Sequence, residues 1–154
     1  MKKKVADSKT EQVQILFPST LNGCKRLFGG KLMEWIDIVA AVVARRHSGR
    51  NVTTACVDSL EFKASAHTND TVVVSGYLTY TGRTSMEVCV KTFVESLDGK
   101  RTLINKAYVV MVAIDEFERP TEVPGLILET EVEQAEWDKA IERNKIRKQR
   151  RTEN

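Results

Sequence analysis

The sequence is poor in the residues that build metal sites and disulfide frameworks. It has two histidines, His47 and His67, and three cysteines, Cys24, Cys56 and Cys89. The cysteines stand 32 and 33 residues apart, so the sequence contains no CxxC pair and no closely spaced cysteine framework. Reduced thiols are typical of cytoplasmic proteins. We therefore predict a cytoplasmic location and no metal site.

Long apolar runs and a large excess of one charge are also missing. The longest apolar stretch, residues 38–44, is far shorter than the ~20 residues that span a bilayer. The basic N-terminus lacks the apolar segment of a signal peptide. Lys and Arg total 24 against 21 Asp and Glu, an imbalance too small to indicate a nucleic-acid partner. With 42% hydrophobic residues in 154 positions, we expect one globular domain without a membrane span.

A mostly buried helix is predicted in the first third of the chain. Gly29 and Gly30 precede the segment KLMEWIDIVAAVVARRH, whose 17 residues include neither Gly nor Pro. Its apolar residues recur at helical spacing on most sides. Basic residues at its end suit the negative pole of a helix dipole. The expected helix therefore runs from about Gly30 to His47.

Strands are predicted on both sides of this helix. Val13, Ile15 and Phe17 alternate with other residues, which indicates a strand ending at Pro18. Short connections favour antiparallel pairing of four later strands that are rich in β-branched residues, at 52–62, 71–80, 85–96 and 103–114. This order predicts an α+β fold in which one face of a curled sheet packs on the helix. The second face of this sheet and one of its edges then have no packing partner within the predicted core.

The two ends of the chain differ from this central part. Residues 1–10 show no periodicity and are expected to be a tail, whereas 11–125 form the domain and 126–154 a helical extension. The predicted helix of the extension, 129–151, starts acidic and has six basic residues within 143–151, as suits a helix dipole. This pattern favours a solvated peripheral helix. The alternative is an anion-binding tail.

Two features of the helix region could support chemistry. Asp37 is the one acid deep in the apolar helix; either it belongs to a solvent stripe with Lys31 and Glu34, or it is a general base in a half-buried cleft. Gly29 and Gly30 either form a simple turn or leave helix-start N–H groups open to a ligand. No Walker loop, nucleophile elbow or HExxH motif occurs.

The run NGCKRLFGGKLMEWIDIVAAVVARRH resembles the signature of acyl-CoA thioesterases with the hotdog fold. It is most similar to the cytosolic acyl-CoA hydrolases of bacteria, which are related to the brain-type acyl-CoA hydrolase of animals. The matching positions are Asn22, the Phe-Gly-Gly at 28–30 and Asp37. The stretches VTTACVDSLEF, GRTSMEV and YVVMVAIDEFERPTEVP follow in the family order. Two positions depart from the pattern. Many relatives have Gly at the position of Lys25, and Thr is common at the position of Leu21.

This resemblance implies a hotdog fold, in which a curved antiparallel sheet wraps one long central helix, here with an extra C-terminal helix. The implied reaction is hydrolysis of acyl-CoA to free fatty acid and CoA, a step of lipid metabolism. Asp37 would be the general base, or alternatively a nucleophile, and the N–H of Gly30 would bind the oxyanion. Asn22 would orient water or carbonyl opposite Asp37 of the partner subunit. Thr54 would be a secondary ligand of the water.

The GRTS turn is the implied site for CoA. Arg83 would pair with a phosphate, and Thr84 and Ser85 would donate hydrogen bonds to it; otherwise these residues form an ordinary hairpin turn. The resemblance also implies a dimer with one sheet continuing across two protomers, and hexamers built as trimers of dimers. The implied chemistry needs no metal or redox cofactor.

Two other functions are compatible with the same fold. One is a non-catalytic sensor of acyl-CoA or nucleotide, which would need neither Asn22 nor Asp37. The other is a dehydratase, which would need a histidine base. His47 at the helix end and His67 in a loop are badly placed for that role.

Overall fold

The computed structural model describes residues 1–153. The elements follow one another in this order: β1 (Lys2–Lys4), α1 (Val5–Ser8), β2 (Thr10–Ile15), a 3-10 turn (Pro18–Thr20), α2 (Gly29–Ser48), β3 (Asn51–Phe62), β4 (Thr71–Thr81), β5 (Ser85–Glu95), β6 (Arg101–Ile114), β7 (Gly125–Ile127) and α3 (Glu131–Glu153). No helix within residues 1–153 has the length and hydrophobicity needed to cross a membrane.

A five-stranded antiparallel sheet curls around α2. Its strand order is β2-β4-β5-β6-β3, so β2 and β3 are the two edges. The helix packs its apolar side chains on the inner face of the sheet and contributes these buried residues: Leu32, Trp35, Ile36, Val39, Ala40, Val43 and Ala44. This arrangement confirms the predicted α+β hotdog fold.

Close contact between α2 and the sheet depends on a glycine in β4. A Cβ atom added at Gly76 would lie 2.7 Å from Val39 Cγ1 and 3.2 Å from Val43 Cγ2. Such distances are too short for packed carbon atoms, so any larger residue would push the helix away. Gly76 therefore determines how closely the helix lies on the middle of the sheet.

The N-terminal part differs from the prediction at residues 1–10. These residues, expected to be a tail, include β1, which pairs in parallel with β7, and α1, where Val5 is buried. In β2 the alternating apolar side chains point outward: Val13 is 58% and Ile15 53% exposed, while Leu16, which follows the strand, is fully buried. Side chains alternate along a strand, so Leu16 can face the core only if its neighbours face away from it.

The C-terminal helix α3 packs on the outer face of the sheet, so its interpretation as a solvated peripheral helix was wrong. Arg143 and Arg147 both bond the carboxylate of Glu87 in β5, at 2.7 and 2.9 Å. Glu87 is only 1% exposed and also accepts the Thr79 hydroxyl. The helix is thus attached to the sheet by a largely buried ionic cluster.

Further contacts extend this attachment along α3. The guanidinium of Arg143 lies 3.7 Å from the centre of the Tyr108 ring. The ring of Trp137 packs on Tyr80 with centroids 4.6 Å apart. Near the end of the helix, Arg150 contacts Asp58 of β3 at 3.5 Å. The helix therefore contacts four different strands of the outer face.

We predict that Glu87→Gln destabilises the protein by about 3 kcal/mol, because removing one partner of a buried ion cluster leaves charges without compensation. Arg147 keeps its contact with Asp58, so the loss of stability should lie at the lower end of the about 3–5 kcal/mol that breaking a buried ion pair costs. Urea unfolding monitored by circular dichroism measures the difference. Glu142→Gln is the control, since that side chain forms only an exposed pair with Lys145. Equal stability of the two variants would contradict an anchoring role for Glu87.

Candidate active site

Asp37 and Thr54 form the central pair of the candidate site. The hydroxyl of Thr54 in β3 donates a hydrogen bond of 2.6 Å to Oδ1 of Asp37 in α2. The β3–β6 register shifts between Thr54 and Cys56, so a bulge lies directly after Thr54. Bulges redirect side chains at sheet edges. Here the hydroxyl of Thr54 faces the helix and bonds one oxygen of the Asp37 carboxylate.

The surroundings of Asp37 differ from the half-buried cleft that we expected. Within this single chain Asp37 is exposed. Lys31 and Glu34 pair at 3.0 Å on the same side of α2, so the solvent stripe is the correct description of the isolated chain. The neighbouring Ile38 is nevertheless 46% exposed, and Phe62 in β3 is 54% exposed. The exposed charged residues of α2 are thus accompanied by exposed apolar side chains of α2 and β3.

Asn22 organises the loop before α2. Its side-chain Oδ1 accepts the backbone N–H groups of Cys24 at 2.9 Å and Arg26 at 3.2 Å. Its main-chain N–H donates to the carbonyl of Arg26 at 2.7 Å, which closes the loop. Lys25 has a φ of 59°, in the left-handed region that favours glycine. This conformation explains why glycine suits the position at which the sequence departs from the family pattern.

The start of α2 offers backbone donors without acceptors. The first N–H groups of a helix lack intrahelical partners. Within residues 1–153, no backbone carbonyl outside the helix accepts the N–H of Gly29 or of Gly30. The first turn also carries no acidic side chain that would compensate the positive end of the helix dipole. A Cβ at Gly30 would lie 2.7 Å from Cε1 of the exposed Phe28 ring, so a larger residue there would require this ring to move. These donors can bind a developing oxyanion.

A cavity of about 260 Å³ connects the Asn22 loop with the start of α2. Asn22 and Gly29 line it together with Phe62 and mainly apolar side chains: Leu27, Leu32, Ala64, Ala66 and Ile104. Within one chain, Asn22 therefore lies near the start of α2, and Thr54 lies next to Asp37. The cavity at Asn22 does not include Asp37 or Thr54.

The GRTS turn connects β4 with β5. The N–H of Gly82 donates to the carbonyl of Ser85 at 2.8 Å, as in an ordinary hairpin. The carbonyls of Arg83 and Thr84 accept the N–H groups of Val123 and Ala113. The Arg83 side chain is exposed and lines a second cavity of about 510 Å³, together with Thr84 and Ser85. This cavity lies on the outer face of the sheet, next to α3.

Sequence reasoning missed the contact of α3 with this region, although it kept an anion-binding tail as the alternative for the basic end of that helix. The opposite wall of the second cavity consists of residues of α3, among them Arg147, Lys148 and Arg151. The available signal was their spacing of three and four residues, which places them on one helix face. Glu87 was also missed. The signal there was a single acid between the apolar residues of SMEVCV.

The other nucleophilic or titratable candidates have structural surroundings. His47 is fully buried with Nε2 2.8 Å from the Pro124 carbonyl, and burial lowers the pKa of its imidazole. His67 lies in a loop, where its main-chain N–H donates a hydrogen bond to the carboxylate of Asp70. Burial raises the pKa of the Cys89 thiol, which therefore stays protonated and unreactive. All three cysteines are free thiols.

The chain is similar in sequence to known thioester hydrolases. The Thioesterase superfamily profile matches residues 25–98. A protein of Bacillus subtilis named as an uncharacterized acyl-CoA thioester hydrolase is 38% identical over 146 residues, which cover 94% of this chain and 85% of the relative.

Solved structures show the same fold. A hexameric acyl-CoA thioesterase superposes with a TM-score of 0.93 at 39% identity, covering 97% of this chain and 96% of that one. The acyl-CoA hydrolase of Staphylococcus aureus, solved with butyryl-CoA, CoA and CoA disulfide, gives 0.94 at 35% identity over 99% of this chain and 94% of that one.

Alanine variants of the Staphylococcus aureus enzyme at one Asn, one Asp and one Thr have also been solved. In that chain the Asp follows the Asn by 15 residues, and the Thr follows the Asp by 17. Asn22, Asp37 and Thr54 have the same spacing. Given this agreement in sequence and fold, the chain belongs to the hotdog-fold acyl-CoA hydrolases of the Thioesterase superfamily, a family of thioester hydrolases.

Proposed function

We propose that this enzyme hydrolyses acyl-CoA to a free fatty acid and CoA, with Asp37 as the general base. The observation that carries the proposal is the 2.6 Å hydrogen bond by which Thr54 orients the Asp37 carboxylate. The spacing shared with the substituted residues of the Staphylococcus aureus enzyme supports the same choice of residues. The free thiols suit a reducing compartment, so we place the reaction in the cytoplasm.

The proposed reaction uses groups of the protein and one water molecule. Asp37 takes a proton from water as the oxygen attacks the thioester carbonyl, and Thr54 keeps the carboxylate in position. The N–H of Gly30 binds the oxyanion of the tetrahedral intermediate. When this collapses, the C–S bond breaks and the CoA sulfur takes up a proton. Direct attack by Asp37 would instead form an acyl anhydride, which water then hydrolyses. Neither route requires a metal or redox cofactor.

The site requires a second copy of the chain. Asn22 and the helix start lie apart from Asp37 and Thr54 within one chain. Strand β3 is a 12-residue sheet edge, and edges of this kind pair readily with another strand. A two-fold pair along β3 would extend the sheet, cover exposed apolar side chains such as Phe62, and bring Asn22 opposite Asp37 of the partner subunit.

Dimers would then assemble into a hexamer. Val13, Ile15 and Phe17 form a second uncovered apolar stripe, each more than half exposed, on the sheet edge opposite β3. Contiguous exposed apolar side chains typically mark protein interfaces. The hexameric assembly of the similar thioesterase supports a hexamer, which we propose to be a trimer of dimers with this stripe covered.

For the CoA carrier we propose the GRTS turn. Arg83 is exposed and has no carboxylate within 4 Å among residues 1–153, so its charge is available for a phosphate. Thr84 and Ser85 line the same cavity and can donate hydroxyl hydrogen bonds. Recognition of the carrier is thereby separated from the chemistry at Asp37.

Asp37→Ala is expected to reduce kcat by ~100–10,000-fold while CoA binding is largely retained, because it removes the general base alone. Release of CoA thiol from a panel of acyl-CoAs measures turnover. Glu34→Ala is the matched control, since it removes an acid one turn earlier on the same stripe. A variant at Asp37 with half the original rate would exclude this residue from the mechanism. Absence of turnover by the unaltered protein, with CoA still bound, would favour the acyl-CoA sensor.

Mixing inactive Asn22→Ala and Asp37→Ala chains is expected to restore activity, because hybrid dimers contain one intact site. Random exchange would give about a quarter of the original rate, since half the dimers are hybrids with one of two sites intact. Subunit exchange is verified by mass spectrometry of differently tagged chains. A chain with both substitutions can form no intact site and is the control. Full exchange without recovery would contradict a shared site.

Arg83→Ala is expected to raise KM for acyl-CoA by roughly 10–150-fold, the effect of one lost charge-assisted hydrogen bond. The value of kcat should change little, since a phosphate contact persists from ground state to transition state. A short thioester without the nucleotide should be nearly insensitive. Arg119→Ala removes an exposed arginine outside the cavity and serves as control. Equal losses on both substrates would indicate damage to the fold.

A further inference from the structure

The cavity beside the GRTS turn has a second cationic wall that the proposed function does not use. One wall is the β4–β5 hairpin with Arg83, and the other is the last two turns of α3. The floor between them is formed mainly by the outward side chains of β3 and β6: Ala55, Cys56, Val110 and Val112. The enclosed volume is about 510 Å³, which is enough for a nucleotide-sized ligand.

Ion pairing leaves part of this positive charge uncompensated. Glu87 pairs with Arg143 and Arg147, and Asp58 pairs with Arg147 and Arg150. No carboxylate lies within 4 Å of Lys148, Arg151 or Arg83 in the part of the chain that the structure describes. Three cations from two separate elements thus border one cavity without anionic partners.

The position of these residues on α3 favours a binding role over compensation of the helix dipole. Five residues of α3 line the cavity: Asn144, Arg147, Lys148, Arg150 and Arg151. Apart from Arg150, which pairs with Asp58, their spacing of i, i+3, i+4 and i+7 places them on a single face of the helix. Compensation of the dipole requires positive charge near the helix end but no particular face. The helix dipole therefore does not explain why these basic residues of α3 lie on the side of the cavity.

We infer that Lys148 and Arg151 of α3 form, with Arg83 opposite them, a binding site for the phosphate groups of CoA. This inference rests on the proposed function and extends it to the C-terminal helix. The nucleotide of CoA carries a diphosphate and a 3′-phosphate, about four negative charges at neutral pH. Cations on both sides of a cavity can contact separate phosphates, and the apolar floor suits the adenine ring.

The experiment measures CoA affinity by titration calorimetry on the full chain. Lys148→Gln/Arg151→Gln is expected to raise the Kd of CoA at least about tenfold, since it removes two charge-assisted contacts. The charge-conserving pair Lys148→Arg/Arg151→Lys should retain most of the affinity. Lys139→Gln is the matched control, because it removes an exposed lysine of α3 outside the cavity and should leave the Kd unchanged. Circular dichroism confirms that each variant keeps its helix content.

A second measurement identifies the source of the phosphates. Adenosine 3′,5′-bisphosphate should compete with CoA in the unaltered protein and inhibit acyl-CoA hydrolysis competitively. Binding of this nucleotide without competition would overturn the assignment to the substrate, because it would indicate a separate nucleotide site. An unchanged Kd in the double Gln variant, or an equal loss with Lys139→Gln, would overturn the inference.

The inference and the proposed function fail in different ways. If the unaltered protein hydrolyses acyl-CoA and the double Gln variant binds CoA normally, only the role of α3 is overturned. If the unaltered protein hydrolyses no thioester but loses CoA affinity with the double Gln substitution, the phosphate site is supported and the hydrolase proposal is overturned.

Discussion

The position of the C-terminal helix depends on the charge of one buried carboxylate. Glu87 stands on the outer face of β5 and is 1% exposed. Removing a carboxylate from water costs several kcal/mol unless opposite charges and hydrogen bonds replace the water. Both guanidinium groups that do so, Arg143 and Arg147, belong to α3 and are one turn apart. These two contacts hold the helix in a placement that brings the basic end of α3 beside the GRTS hairpin.

The inner and outer faces of the sheet have separate tasks that meet at β3. Thr54 faces α2 and bonds Asp37, whereas Cys56, directly after the bulge, lines the cavity under α3. The bulge lets neighbouring residues of one edge strand serve both faces. The proposed chemistry at Asp37 and the proposed recognition of the carrier at Arg83 therefore lie on opposite sides of the sheet. Strand β3 is also the edge at which we place the partner subunit.

Most of the framework could be predicted because local patterns specify it. The helix was expected at 30–47 and is found at Gly29–Ser48, and the four later strands agree equally well with 52–62, 71–80, 85–96 and 103–114. The orientation of β2 could not be predicted. Its alternation marks two faces but does not say which one meets the core, and that depends on Leu16 packing inward. Likewise the N-terminal residues show no periodicity, since their pairing partner β7 is more than a hundred residues away.

By itself the sequence determined the α+β framework and the family to which the chain belongs, and it indicated Asn22, Asp37 and Thr54 for the proposed site, because periodicity and short motifs depend on neighbouring residues. Only the tertiary structure decided that Asp37 bonds Thr54 yet stays exposed on one chain, and that α3 lies on the sheet. The Glu87–Arg143 pair joins residues 56 positions apart. Ion pairs over such separations leave no local pattern, because burial and charge compensation are properties of the folded chain as a whole.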